Sequence, residues 1–99
     1  MASFSLLFSA TAAAQLEELQ LDRGLAKRLK AVRKTLARLE ADPRHPGLQS
    51  HEFKSLSSGQ GVKVFESYAE QGTPAAYRVF WQYGPEKTQI TIIAITSHP

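Results

Sequence analysis

The segment Tyr77-Arg78-Val79-Phe80-Trp81-Gln82-Tyr83 decides the fold, together with Thr88-Gln89-Ile90-Thr91-Ile92-Ile93-Ala94-Ile95-Thr96. Both runs are rich in β-branched and aromatic residues, which suit a pleated, half-buried surface. Between them, Gly84-Pro85-Glu86-Lys87 carries the Gly and Pro that punctuate a turn. Two strands are therefore predicted, Tyr77–Tyr83 and Thr88–Thr96. Period-2 alternation puts Arg78, Phe80 and Gln82 on one face of the first strand. Tyr77, Val79, Trp81 and Tyr83 take the other face, so Trp81 is expected in the core. Upstream, Val62–Tyr68 reads as a further strand, set off by Gly72-Thr73-Pro74.

Towards the N-terminus the period changes. Leu25, Leu29, Val32, Leu36 and Leu39 recur at helical spacing within Arg23–Glu40, which aligns them on one face of a helix. Before it, Ala12–Leu21 consists of good helix formers, with Ser9 or Thr11 available to cap its first turn. Asp22 and Gly24 mark a turn between the two helices. Asp42-Pro43-Arg44-His45-Pro46-Gly47 stops the second helix, because proline lacks a donor and restricts its predecessor. Leu48–Gly61 is polar and Ser/Gly-rich around Phe53 and Leu56, and is predicted as a long loop. Ser3–Phe8 fits a short first strand. The expected order is β-α-α-β-β-β: an α+β fold with a helical hairpin on one face of a small, mainly antiparallel sheet.

Composition bounds the rest. Ninety-nine residues make a single expected domain, residues 1–99. The chain is 42% hydrophobic and 21% charged, as ordinary globular proteins are. With no cysteine, a disulfide scaffold, a thiolate zinc site and a cysteine nucleophile are excluded. No apolar run approaches the roughly 20 residues of a membrane helix. The apolar block Phe4–Phe8 is short and has no basic residue before it, unlike a secretory signal, so a cytoplasmic location with no membrane contact is expected.

Charge is uneven. Arg23, Lys27, Arg28, Lys30, Arg33, Lys34 and Arg38 follow one another with no acidic residue among them. Such a helix repels itself, and an anionic partner would relieve that cost, although a merely solvated face is the plainer reading. Phosphate-cradling loops, nucleophile elbows and zinc-protease motifs are absent. The histidines His45, His51 and His98 lack metal-ligand spacing, so neither metal nor other cofactor is expected. Arg78 is the unusual residue. A guanidinium in the middle of a strand either faces solvent or meets a carboxylate, and Glu66 stands across the hairpin to supply one. As a rigid planar donor fork it would also suit a phosphate.

The segment from Ala76 to Trp81, the last strand and His98 beyond it resemble the RelE/ParE toxin superfamily, as do Val64-Phe65-Glu66-Ser67-Tyr68 and the element order. Members share a Tyr-Arg-aliphatic-x-aromatic strand, a final aliphatic strand and often a His or Arg after it. The resemblance implies a toxin of a toxin–antitoxin system. In its RelE-like branch that is a ribosome-dependent, metal-independent mRNA endoribonuclease, whose partners are the ribosome, mRNA and a cognate antitoxin. There the ribose 2′-OH attacks the adjacent phosphate, which requires a proton acceptor, a stabilising cation and a proton donor. By position, Arg78 matches the phosphate stabiliser, His98 an acid or base, and Glu66 a candidate base. Lys54, Lys63, Lys27, Lys30 and Lys34 are the expected RNA contacts. RelE carries several lysines on the strand where this chain has only Lys63. That leaves two alternatives open: a ParE-like inhibitor of DNA gyrase acting by protein binding, and a non-catalytic RNA- or ribosome-binding domain.

Overall fold

One five-stranded sheet organises the computed structural model, which describes residues 3–54, 61–73 and 75–97. Its elements are β1 (Ser5–Phe8), α1 (Ala10–Leu21), α2 (Ala26–Ala41), β2 (His51–Glu52), β3 (Phe65–Tyr68), β4 (Tyr77–Tyr83) and β5 (Gln89–Ser97). The strand order is β1-β5-β4-β3-β2. Among the described residues only the β1–β5 pair is parallel; the β5–β4, β4–β3 and β3–β2 pairs are antiparallel. The two helices pack on one face of this sheet, so the fold class is the α+β arrangement expected.

Local chemistry explains the boundaries. The Ser9 hydroxyl accepts from the Ala12 N–H at 3.0 Å and caps α1. The Asp22 carboxylate accepts from the Gly24 N–H at 2.9 Å and starts the short 3₁₀ turn Arg23–Leu25 that joins the helices. Gly84, at φ 108, turns β4 into β5 with a backbone conformation that side-chain-bearing residues rarely adopt. The predicted loop from Leu48 to Gly61 needs correction. Its first part holds the end of a 3₁₀ turn, Pro46–Leu48, and then the two-residue strand β2 on the sheet edge. The third strand is also shorter than predicted, beginning at Phe65 rather than Val62. Leu56, Pro74 and His98 lie outside the described residues.

The core fills the space between helices and sheet. Leu19, Val32, Leu36 and Leu39 from the helices meet Val79, Trp81, Ile90, Ile92 and Ile95 from β4 and β5. Trp81 is 1% exposed, stacks on Phe65 at 4.9 Å and donates its indole N–H to the Ser67 hydroxyl at 2.7 Å. A register shift between Phe80 and Trp81 opposes them to Ala94 and Ile92, which leaves Ile93 as an extra residue. That bulge turns Ile92 and Ile95, three positions apart, to the same buried side. It also frees backbone groups, and α1 satisfies them. Ser9 donates to the Ile93 carbonyl at 2.7 Å, and the Gln15 side-chain oxygen accepts from the Ile95 N–H at 2.6 Å.

Candidate functional site

The sheet face turned away from the helices carries the polar chemistry. Register places His51 opposite Glu66, Glu66 opposite Phe80, and Tyr68 opposite Arg78. Since side chains alternate along strands, all five project to that face. Glu66 and Arg78 are diagonal neighbours across the β3–β4 hairpin, close enough for long side chains to meet.

Glu66 is the pivot. Its side chain is 1% exposed, and a carboxylate so deeply buried is costly unless charged or hydrogen-bonding partners surround it. Two of its partners are basic side chains. His51 Nε2 lies 2.8 Å from one carboxylate oxygen, and Arg78 Nε lies 3.7 Å from the other. Arg78, the residue expected either in solvent or against a carboxylate, therefore takes the second course. Its side chain is only 12% exposed.

The guanidinium is clamped further. Its Nη1 donates to the carbonyls of Glu70 at 3.1 Å, Ala76 at 3.3 Å and Tyr77 at 3.4 Å. Its plane sits over the Tyr68 ring, with Cζ 4.0 Å from the centroid. Among the described residues Nε is buried without a hydrogen bond. All three of these hydrogen bonds engage Nη1. An arginine fixed in this way presents charge without having to be ordered first.

Of the expected site residues, the structure brings together Glu66 and Arg78. β5 runs to Ser97, which pairs with Tyr77 beside Arg78, while His98 is beyond the described residues. Lys54 and Lys63 are exposed, after β2 and before β3 respectively. Lys27, Lys30 and Lys34 are exposed on α2, in the layer across the sheet from the Glu66–Arg78 pair. Within the same helix Arg28 is engaged, 3.7 Å from Glu70 and 5.1 Å from the Tyr77 ring centroid. Sequence reasoning missed His51, whose partner is defined by a strand that the polar sequence around it does not announce.

On the helix side of the sheet, a cleft of about 350 Å³ lies beside Arg44, Gln49, Ser50, Phe65 and Tyr83. Burial pushes the Tyr83 phenol above its ordinary value; Arg44 opposes that shift and Asp42 adds to it. Among the described residues no group of three or more His, Asp or Glu is placed to hold a metal ion. No helix there is long and apolar enough to cross a membrane.

No protein-family model matches this chain, and no curated protein matches it in sequence. Solved structures do. A YoeB dimer structure from Staphylococcus aureus aligns at TM-score 0.67 and 17% identity, over 99% of this chain and 100% of that one. A YoeB/ParE toxin from Agrobacterium tumefaciens aligns at TM-score 0.73 and 9% identity, over 97% and 100%. An archaeal RelE–RelB complex from Pyrococcus horikoshii OT3 contributes a chain at TM-score 0.64 and 11% identity, over 96% and 94%. With two helices on a five-stranded mixed sheet matched along nearly its whole length, this chain has the fold of the YoeB, ParE and RelE toxins.

Proposed function

We propose that this protein is the toxin of a toxin–antitoxin pair and a ribosome-dependent mRNA endoribonuclease. One observation carries the reading: a rigid guanidinium beside a buried carboxylate, on the sheet face that the helices leave uncovered, in a toxin fold. Arg78 would meet the scissile phosphate, where a preorganised cation stabilises the charge that builds up as five oxygens crowd the phosphorus. The Glu66 cluster would serve proton removal from the 2′-OH. His98, just past the strand that pairs with β4, would protonate the departing 5′ oxygen. The exposed lysines of α2, with Lys54 and Lys63, would contact RNA phosphates. The archaeal RelE neighbour was solved with RelB, which supports a cognate antitoxin as protein partner here. The work would take place in the cytoplasm.

Inducing the gene and mapping mRNA 5′ ends tests this directly. New ends within translated messages are expected as growth stops. The burial of Arg78 favours one competitor, a gyrase inhibitor that works by binding alone. Intact mRNA with altered DNA supercoiling would establish that reading instead.

A further inference from the structure

The buried position of Glu66 poses a chemical problem. A carboxylate with a 1% exposed side chain cannot itself reach a ribose hydroxyl, yet it is the group expected to accept the proton. Its neighbour can reach one. The His51 side chain is 47% exposed, on the edge strand β2, with Nε2 held 2.8 Å from Glu66. The ring also stands edge-on to Tyr68, centroids 5.7 Å apart, and Tyr68 in turn underlies Arg78.

We infer that His51 is the general base of the proposed cleavage, and that Glu66 is a positioning residue acting through it. The inference rests on the endoribonuclease reading above. Its physical basis is tautomer control. In neutral imidazole one nitrogen carries the proton and the other the lone pair, and the hydrogen bond decides which. With Nε2 2.8 Å from the Glu66 carboxylate, the proposed tautomer carries its proton on Nε2 and its lone pair on Nδ1. Nδ1 then takes the proton from the 2′-OH as O2′ bonds to phosphorus and the P–O5′ bond breaks. The imidazolium that forms sits against the Glu66 carboxylate, which stabilises it, as a buried carboxylate does for the histidine of a catalytic triad. The products are a 2′,3′-cyclic phosphate and a 5′-hydroxyl, the latter receiving its proton from a separate acid. No oxidant, metal or further reactant enters the balance. The ring, the carboxylate and the guanidinium form one line across three neighbouring strands, so base and phosphate stabiliser are held at a fixed separation.

The test uses the full chain with ribosomes programmed by a defined mRNA. His51→Ala is expected to slow cutting about 10²-fold or more, with its melting curve close to that of the wild type. Added imidazole should restore a substantial part of the lost rate, because a free base can occupy the vacated space. A message with sulfur in place of the 5′ bridging oxygen, a leaving group that needs no acid, should leave the His51→Ala defect in place. Glu66→Gln should lower kcat while KM holds, since an amide orients the ring but cannot stabilise its cation. Three outcomes would overturn the inference: cutting at the wild-type rate by His51→Ala, a defect that imidazole leaves untouched, or one that the thiolate leaving group abolishes. In each of these the wild type still cuts, and the proposed function survives. A wild type that cuts nothing on the ribosome ends both readings.

Discussion

At the scale of single residues, the notable feature is a charge pair that belongs to the scaffold and, on the proposed reading, to the site as well. Arg78 neutralises a buried carboxylate, so truncating it removes one of the basic partners of Glu66. Arg78→Ala is therefore expected to destabilise the fold by about 3 kcal/mol, comparable with the roughly 3–5 kcal/mol expected for Trp81→Ala in the core. Arg78→Lys separates the two roles. It keeps a positive charge near Glu66 but loses the planar fork, so it should melt above Arg78→Ala while cutting about 10²-fold more slowly than the wild type. Melting curves and cleavage rates measured on the same preparations check this; a lysine variant as active as the wild type would reduce Arg78 to a structural counter-ion. The pair itself was one of two courses legible in the sequence, because a strand arginine either faces solvent or meets a carboxylate and Glu66 lay across the predicted hairpin. The proposed role of His51 was not. It depends on which residue faces Glu66 across β2 and β3, and register across an edge pair is set by tertiary structure.

At the scale of elements, legibility followed the strength of the periodic signal. β4 was read to the residue, since seven alternating positions with aromatic and β-branched side chains admit one period. The α1 cap at Ser9, one of two candidates with Thr11, and the turn at Asp22 rest on side-chain chemistry that acts within three residues. β2 was missed because two residues, His51 and Glu52, carry no period at all. The bulge at Ile93 was equally silent: β5 is apolar on both sides of it, so nothing in Ile92-Ile93-Ala94-Ile95 marks where the alternation slips. α2 makes a prediction of its own. Its lysines stand across the sheet from Arg78, so they should affect docking to an anionic surface and leave the chemical step alone. Replacing Lys27, Lys30 and Lys34 with Glu is expected to weaken co-sedimentation with ribosomes and flatten its salt dependence, since each lost phosphate contact reduces the slope. Binding that is unchanged at every salt concentration would make this face purely solvated.

At the scale of the whole molecule, the architecture divides labour between the two faces of one sheet. The helices cover one face and supply the core, including the hydrogen bonds that satisfy the β5 bulge. The other face is left to a short edge strand and a polar cluster, where a buried carboxylate fixes the orientation of an imidazole and a guanidinium. On the proposed reading, the ribosome presents the message to that face. Dependence on the ribosome is thus the central claim. The direct measurement is cleavage of one end-labelled mRNA by the purified protein, alone and in ribosomes with that mRNA in the decoding site. The account predicts no cutting of the free message and rapid cutting of the ribosome-bound one, with 2′,3′-cyclic phosphate at the new 3′ end. An intact message on the ribosome, with DNA supercoiling by gyrase blocked in a parallel reaction, would contradict it.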